Sequence, residues 1–232
     1  MAFDSPLAGE IWTAKYRLQQ PGGAVEASVE ESWDRIAGAL AEAEPAAARA
    51  VWRDRFRAAL QDFRFIPAGR ILAGAGADRA VTLFNCFVMG RTPDDLSGIF
   101  DHVKEAAVTL QQGGGVGMDF SSIRPSGAPV RGVGAQASGP LSFMHVWDAM
   151  CAAIMSAGQR RGAMMGCLRI DHPDIEAFID AKRGGGRLRN FNLSVLVTDA
   201  FMRAVEADAD WPLSFEGVTS ATVRARDLWD RL

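Results

Sequence analysis

One cysteine, Cys86, follows Asn85 inside a short apolar run, and its thiol is the first group in this sequence that could do chemistry. A thiol can give up a proton and an electron and can then be regenerated by exchange with another thiol. Three consecutive glycines, Gly113 to Gly115, follow after a helical stretch; they permit positive φ and let backbone N–H groups approach a ligand. On residue types alone, Cys86 is either a redox thiol or a buried, inert cysteine.

Acidic and basic residues flank this stretch. Asp94 and Asp95 lie at the start of the helix, and Arg124 lies in a basic turn after the glycines. The cysteine, the acidic helix start, the glycines and the basic turn together are typical of a nucleotide-binding site. With 232 residues, a net charge of −3 and a pI of about 5.7, the chain is not typical of nucleic-acid polymer binders, which usually carry a basic face. Small nucleotides are therefore the expected ligands.

The remaining chemistry-bearing residues predict no metal site and no disulfide framework. The cysteines include no C-x-x-C pair, and the histidines match no zinc spacing, so we expect the histidines at the surface or at helix ends. The sequence shows neither a signal peptide nor an apolar run of about 18 residues, so we expect a cytoplasmic protein without membrane association. The residues concerned are Cys86, Cys151, Cys167, His102, His145 and His172.

The elements that position these residues divide into two regions, predicted as residues 1–65 and 66–232. A capping box at Ser28–Glu31 and apolar residues at helical spacing predict a helical N-terminal region. The glycine-rich segment 65–76 is more typical of a packed loop than of a helix. From residue 80 onward, apolar strands alternate with helices, which predicts an α/β fold with mainly parallel strands. Strands are predicted at residues 83–89, 116–120, 164–170 and 190–197, and helices begin near residues 95, 140, 174, 199 and 224.

In these segments the sequence resembles the large catalytic chain of ribonucleotide reductases, most closely the adenosylcobalamin-dependent class. No single segment is decisive, but they occur in the family's order across most of the chain. They are Pro67-Ala68-Gly69-Arg70-Ile71-Leu72, Asn85-Cys86, Gly113 to Ser126, Gly158 to Met165, His172-Pro173-Asp174-Ile175 with Phe178-Ile179 and Lys182, Asn190 to Val197 and Ala225-Arg226-Asp227-Leu228-Trp229-Asp230.

The resemblance implies a helical region followed by the first half of a ten-stranded α/β barrel. In the family, a cysteine thiyl radical takes the 3′-hydrogen from the ribose, and two further cysteines reduce the 2′ position and become a disulfide. Cys86 matches the first of those two reductants, which favours the redox interpretation. Cys151 and Cys167 match no catalytic position and are expected to be structural.

The resemblance also implies a substrate site and an effector site. Gly69, Asn85, Gln112, Gly114 and Gly115 match the substrate pocket. A carboxylate at Asp94 or Asp95 could accept hydrogen bonds from the ribose of a deoxynucleotide, and guanidinium groups suit its phosphates, although a solvated loop charge is the alternative for each arginine. The effector set is Asp94, Asp95, Arg124, Arg131, Gln159, Arg160 and Arg161. The last three belong to the segment Gln159 to Ala163, which matches the family's loop that carries effector identity to the substrate base and would then be a mobile two-state element.

The implied partners are a ribonucleotide substrate, dNTP and ATP effectors, a thioredoxin-like reductant, a second copy of the chain and the missing C-terminal part of the enzyme. The sequence has no Asn-Pro-Cys-Gly-Glu segment, so the radical cysteine is absent, and we expect the chain to be inactive alone. Three alternatives stay open: a class I reductase, a stand-alone or split dNTP-binding module without catalysis, and a truncated product that aggregates through exposed sheet edges.

Overall fold

A computed structural model describes residues 3–20, 23–130, 132, 134–154, 162–183, 185 and 187–232. The chain forms two compact units, an N-terminal unit (Met1–Asn85) and a C-terminal unit (Cys86–Leu232). The boundary predicted between residues 65 and 66 stays a prediction. None of the helices in the described part is long and apolar enough to span a membrane.

The N-terminal unit is helical, as the sequence predicts. Its core contains Trp33, Ile36 and Leu60 from two of its helices. Its elements are helix α1 (Pro6–Lys15), strands β1 (Gln19–Gln20) and β2 (Gly23–Ala24), helices α2 (Val29–Ala41) and α3 (Arg49–Leu60), a 3₁₀ turn (Gln61–Phe63) and helix α4 (Gly69–Gly74). Helix α1 was not predicted, although Ser5 caps it by accepting a hydrogen bond from the Ala8 N–H.

Helix α4 corrects the loop predicted for residues 65–76. Glycine disfavours a helix interior by about 1 kcal/mol relative to alanine, which is why the sequence indicated a loop. A residue distant in sequence compensates: Arg35 of α2 donates hydrogen bonds to the Leu72 carbonyl, at 3.1 Å, and to the Ala75 carbonyl at the end of α4. Tertiary capping of the last carbonyls therefore overrides the local preference.

The C-terminal unit is built on a parallel sheet of four strands in the order β3-β4-β7-β8. Its strands are β3 (Cys86–Arg91), β4 (Gly115–Asp119), β5 (Pro129–Val130), β6 (Ala135–Gln136), β7 (Met164–Arg169), β8 (Phe191–Leu196), β9 (Asp210–Phe215) and β10 (Val218–Arg224). Its helices are α5 (Leu96–Gln111), α6 (Gly139–Ala153), α7 (Ile175–Asp180), α8 (Asp199–Glu206) and α9 (Ala225–Asp230). Helices α5, α6 and α7 connect successive strands of the sheet, as the α/β alternation predicts.

Burial alternates along the strands of this sheet. Val116 and Met118 of β4 are buried, whereas Gly115 and Gly117 between them are partly exposed. Helix α6 packs on the buried face so closely that a Cβ on Gly166 would lie 2.6 Å from the Met144 methyl group. The other face, here called the open face, carries Cys86, Val88, Gly115, Gly117, Met165, Cys167, Asn192 and Ser194.

The antiparallel hairpin β9–β10 was not predicted. Its two-residue turn places Glu216 at φ 48° and Gly217 at φ 80°, a combination that usually selects Asn-Gly or Asp-Gly rather than Glu-Gly. The hairpin is fixed by packing, since the Trp211 ring lies edge-on to the Phe201 ring of α8 at 5.1 Å. The expectation of a mainly parallel sheet holds for the four central strands.

Candidate functional site

Cys86 is the first residue of β3 and pairs in register with Gly115, the first residue of β4. Its side chain is exposed and its thiol is free. Because β3 is an edge strand of the four-stranded sheet, nothing among the described strands pairs with its outer side. The structure therefore places the predicted redox thiol at the amino end of the open face, where a second molecule can reach it.

The glycine loop closes helix α5 by hydrogen bonding. The Gly113 N–H donates to the Leu110 carbonyl at 2.9 Å, and the Gly114 N–H donates to the Thr109 carbonyl at 3.0 Å. With Gly113 at φ 92°, this is a Schellman cap, which satisfies the last carbonyls of a helix. Those two N–H groups are therefore engaged by the helix, and the expectation that they face a ligand is wrong for this conformation.

Gly114 has a second role, in packing. A Cβ at this position would lie 2.6 Å from Cε2 and 2.8 Å from Cδ2 of the Phe87 ring, and 3.0 Å from the Thr109 methyl group. Only a residue without a side chain lets the end of α5 approach β3 this closely. The loop is thus held next to Cys86 by the neighbour of that cysteine, and Gln112 remains exposed at the same end of the sheet.

The two other predicted substrate residues, Gly69 and Asn85, belong to the N-terminal unit. There the Asn85 side-chain oxygen accepts a hydrogen bond from the Arg70 N–H at 3.4 Å. Gly69 begins helix α4, and a Cβ at this position would lie 3.4 Å from the Tyr16 hydroxyl oxygen. The substrate roles of all five residues stay predictions.

Three predicted effector residues are described by the structure, and they follow the carboxyl ends of two strands: Asp94 and Asp95 follow β3, and Arg124 follows β4. Asp95 is the N-cap of α5, because its carboxylate accepts a hydrogen bond from the Gly98 N–H at 2.8 Å. Asp94 and Arg124 form an ion pair with Nε–Oδ2 2.8 Å, and the Arg124 N–H also donates to the Asp94 carboxylate at 3.0 Å. The carboxylate and the guanidinium group that were predicted to bind an effector therefore bind each other.

A buried histidine holds the Arg124 segment in place. His172 donates from Nε2 to the Ile123 carbonyl at 3.0 Å, and its Nδ1 accepts the Asp174 N–H at 3.0 Å. These partners require the neutral ring, and burial lowers the pKa of His172 below its ordinary value. The Asp174 carboxylate in turn accepts the Ser126 N–H at 2.9 Å. The segments after β4 and β7 are thereby joined.

Sequence reasoning missed this positioning role. His172 does precede helix α7, as the expectation of a helix-end residue allows, but it is fully buried rather than at the surface. The sequence did show His172 as the first residue of the segment His172-Pro173-Asp174-Ile175, which resembles the family. What the sequence could not show was its partner, because the Ile123 carbonyl lies on a different loop.

Among the described residues, the predicted substrate residues of this unit (Gln112, Gly114 and Gly115) and the predicted effector residues Asp94, Asp95 and Arg124 lie at opposite ends of the sheet. The register pairs Cys86 with Gly115 at the amino end and Arg91 with Asp119 at the carboxyl end. At roughly 3.3 Å per residue, the five steps from Cys86 to Arg91 along β3 separate these ends by about 16 Å. Any coupling between the two groups must therefore cross the length of the strands or use another loop.

Four predicted effector residues, Arg131, Gln159, Arg160 and Arg161, lie outside the described residues. Their roles stay predictions. The two remaining cysteines, Cys151 in α6 and Cys167 in β7, have raised pKa values, in each case because burial disfavours the thiolate. Low thiolate content is consistent with the structural role expected of both. Among the described residues, no group of three His, Cys, Asp or Glu side chains could hold a metal ion.

Comparison with known families gives two matches along the chain. Residues 2–80 match the family described as "Ribonucleotide reductase, all-alpha domain". Residues 84–231 match the family described as "Ribonucleotide reductase, barrel domain". The helical unit and the α/β unit of the structure thus correspond to the two matched regions.

Curated relatives agree with these matches. A protein of Mycobacterium tuberculosis (strain CDC 1551) named "Vitamin B12-dependent ribonucleoside-diphosphate reductase" is 40% identical over 207 residues, covering 87% of this chain and 30% of its own. A protein of the same name from Thermoplasma acidophilum is 32% identical over 98% of this chain and 29% of its own. The "Ribonucleoside-diphosphate reductase subunit alpha" of Helicobacter pylori (strain J99) is 35% identical over 68% of this chain and 20% of its own. The chain therefore spans less than a third of the length of these relatives.

Proposed function

The chain belongs to the ribonucleotide reductase large-subunit family, and on that premise we propose that it is the N-terminal part of a cobalamin-dependent ribonucleoside-diphosphate reductase. The observation that carries the proposal is the free, exposed thiol of Cys86 at the amino end of the open face. The B12-dependent type and the diphosphate substrate are taken from the printed names of the relatives.

Cys86 is proposed as one of two reducing thiols. A radical on another cysteine of the complete enzyme removes the 3′-hydrogen of the ribose. The 2′-hydroxyl then leaves as water, while two thiols lose two electrons and two protons and become a disulfide. A dithiol such as a thioredoxin-like protein restores both thiols by exchange. An exposed position on an edge strand suits Cys86 for both the reaction and its reversal.

The open face fits a small substrate better than a large cofactor. Next to Cys86 it offers Gly115 and Gly117, which leave room above the sheet, and the apolar side chains of Val88 and Met165. A corrin carries many amide groups that need hydrogen-bonding partners, and these glycine and apolar residues of the open face supply few. When bound in the complete enzyme, adenosylcobalamin would supply the radical, but we assign no residue of this chain to holding it.

The carboxyl end of the sheet is proposed as the effector side. Because Asp94 and Arg124 already satisfy each other, a deoxynucleotide would bind by taking over one or both partners, with its phosphate replacing the Asp94 carboxylate on the guanidinium group. Asp95 is committed to capping α5, so we propose for it a structural contribution to this side. ATP and dNTPs are the proposed effectors. We also propose that the protein pairs with a second copy of the chain and that it is located in the cytoplasm.

The chain alone is proposed to be inactive, because it contains neither the radical cysteine nor the thiol that would pair with Cys86. The test is an assay for deoxynucleoside diphosphate formation with adenosylcobalamin and a dithiol. We expect no product from the isolated chain. We expect product when the chain is fused to the remaining part of the mycobacterial relative, a protein called the chimaera below.

Two matched variants then separate chemistry from folding. In the chimaera, Cys86→Ser should reduce product formation to background, whereas Cys167→Ser, on the same face of the same sheet, should retain it. Full activity of the Cys86→Ser chimaera would contradict the proposed role, as would turnover by the isolated chain. The alternative, a dNTP-binding module without catalysis, would be supported by tight dNTP binding in a chimaera that makes no product.

A further inference from the structure

The N-terminal unit contains a cavity of about 440 Å³ that the proposed reductase chemistry does not use. Its walls are mainly apolar and rich in aromatic rings, from Phe3, Trp12, Trp33, Phe63 and Phe65. Small-molecule sites are typically concave, mostly apolar and roughly 300–1,000 Å³ in volume, with a small number of polar groups. This cavity has the size and surface for a ligand of one or two fused rings.

Buried side chains form the floor of the cavity, and hydrogen bonds hold one of its walls. Trp33, Ile36 and Leu60 are all buried at its base. The Trp12 indole N–H donates to the Ser32 hydroxyl at 3.0 Å, and Ser32 in turn donates to the buried Glu26 carboxylate at 2.7 Å. Burial raises the pKa of Glu26, but hydrogen bonds led by that from Arg35 outweigh it and hold the pKa below its usual value. The hydrogen-bonded network of Glu26, Arg35, Ser32 and Trp12 thus holds the Trp12 side of the cavity in place.

A strained turn fixes another wall. Asp62 and Phe63 have φ values of 57° and 55°, a left-handed conformation that residues with a side chain rarely adopt. Such conformations persist where the surrounding structure holds them, and they concentrate at binding sites. Here the turn places the Phe63 ring edge-on to Trp33, at 5.2 Å, and 5.8 Å from Phe3. The aromatic walls are therefore preformed rather than assembled on binding.

The polar groups of the cavity indicate the charge of its ligand. Among the described residues that line the cavity, none is a lysine or an arginine. Arg17 and Arg57 stack on the rings of Trp12 and Trp33, but neither lines the cavity. The Ser5 hydroxyl is engaged in capping α1. The Asp4 carboxylate contributes negative charge at the rim, so the described lining offers a phosphate no positively charged side chain.

From these observations we propose that the cavity is a binding site for a planar aromatic small molecule that is neutral or positively charged. The rings of the ligand stack against Trp12, Trp33 and Phe63, and a donor or cation on the ligand faces Asp4. Nucleoside phosphates are disfavoured, because no lysine or arginine is among the described residues that line the cavity. The site is independent of Cys86 and of the effector side, so either proposal can fail without the other.

The test uses three probes with the same ring and different charge: indole, tryptamine and indole-3-acetate. Binding to the 232-residue chain is measured by calorimetry and by the indole N–H signals of Trp12 and Trp33 in NMR spectra. We expect saturable binding of indole and of tryptamine, and binding of indole-3-acetate that is about two- to fivefold weaker than that of tryptamine, the range for an exposed charge. Asp4→Asn should remove this difference and leave indole binding unchanged.

A blocking variant distinguishes the cavity from the rest of the surface. Ala8→Leu adds bulk to a lining residue of α1 and should abolish binding of all three probes, whereas Ala14→Leu, on the same helix outside the cavity, should not change it. Circular dichroism checks that both variants fold. Absence of saturable binding would overturn the proposal, and so would equal binding by the Ala8→Leu variant. Concentration-dependent self-association that competes with indole would also overturn it, because a second copy would then be the occupant.

Discussion

Replacing Gly114 by alanine tests how the glycine loop is built beside Cys86. The new Cβ would lie 2.6 Å from Cε2 and 2.8 Å from Cδ2 of Phe87, well inside contact distance, and 3.0 Å from Thr109. The atoms it meets belong to a rigid aromatic ring, so the ring, the end of α5 or the start of β4 must move. Overpacking of this kind costs typically about 1–3 kcal/mol in the free energy of unfolding.

The matched control is Gly117→Ala, in the strand that follows the loop. Its Cβ would make ordinary contacts at 3.8 Å with the Met165 Cβ and 4.0 Å with the Phe87 carbonyl. We expect this variant to be neutral or more stable by about 0.5–1 kcal/mol, because alanine loses less backbone entropy than glycine on folding.

Thermal and urea unfolding of the chain measures both variants. A loss of about 1–3 kcal/mol corresponds to a decrease in Tm of roughly 2–12 °C for a chain of this size. A second substitution, Phe87→Leu, should recover part of the stability of Gly114→Ala, because it removes the two closest ring atoms. Equal stability of Gly114→Ala and Gly117→Ala would refute the reasoning and would leave ligand contact as the reason for glycine at residue 114.

Three further predictions concern other parts of the C-terminal unit. Burial lowers the pKa of His172, so below about pH 6.5 the unfolded chain binds more protons than the folded chain. The free energy of unfolding should therefore decrease as the pH falls from 7.5 to 5.5. Urea unfolding of the His172→Gln variant should show a weaker dependence on pH. Asp95→Ala removes the N-cap of α5 and should cost about 1 kcal/mol by the same measurement. Glu216→Asn places the preferred residue before Gly217 at positive φ and should raise the free energy of unfolding by about 0.5 kcal/mol.

Each of these has a result that would contradict it. A pH dependence in His172→Gln as steep as in the unchanged chain would show that other groups dominate acid unfolding. Stability of Asp95→Ala equal to that of the unchanged chain would mean that the Gly98 N–H finds water without cost. A destabilised Glu216→Asn would indicate that the Glu216 side chain contributes a contact outside the turn.

The sequence predicted those elements whose stability comes from local pattern. The strands that begin at Gly115, Met164 and Phe191 are marked by apolar residues between glycine-rich or polar segments, and Asp95 was predicted to lie at the start of α5, where it is the N-cap. Both the helical region and the parallel α/β class followed from this periodicity.

What the sequence could not predict depends on contacts between distant residues. Helix α4 is stabilised by Arg35 of another helix, and the β9–β10 hairpin by packing of Trp211 on Phe201 of α8. At the candidate site, the run of consecutive glycines suggested contact with a ligand, whereas the hydrogen bonds of Gly113 and Gly114 show that they cap helix α5. The pairing of Asp94 with Arg124 likewise joins two loops that are separate in sequence. The local sequence pattern thus predicted the helix or strand to which most of these residues belong, but not the distant residues that they contact.

The most direct test of the central claim follows the thiols of the chimaera through a single turnover. The reduced chimaera receives a ribonucleoside diphosphate without external reductant, and tryptic peptides are then analysed by mass spectrometry; residues 80–91 form a peptide that contains Cys86 and no other cysteine. The account predicts that Cys86 enters a disulfide in step with product, while Cys151 and Cys167 stay free. Deoxynucleotide formed with Cys86 still a free thiol would contradict it.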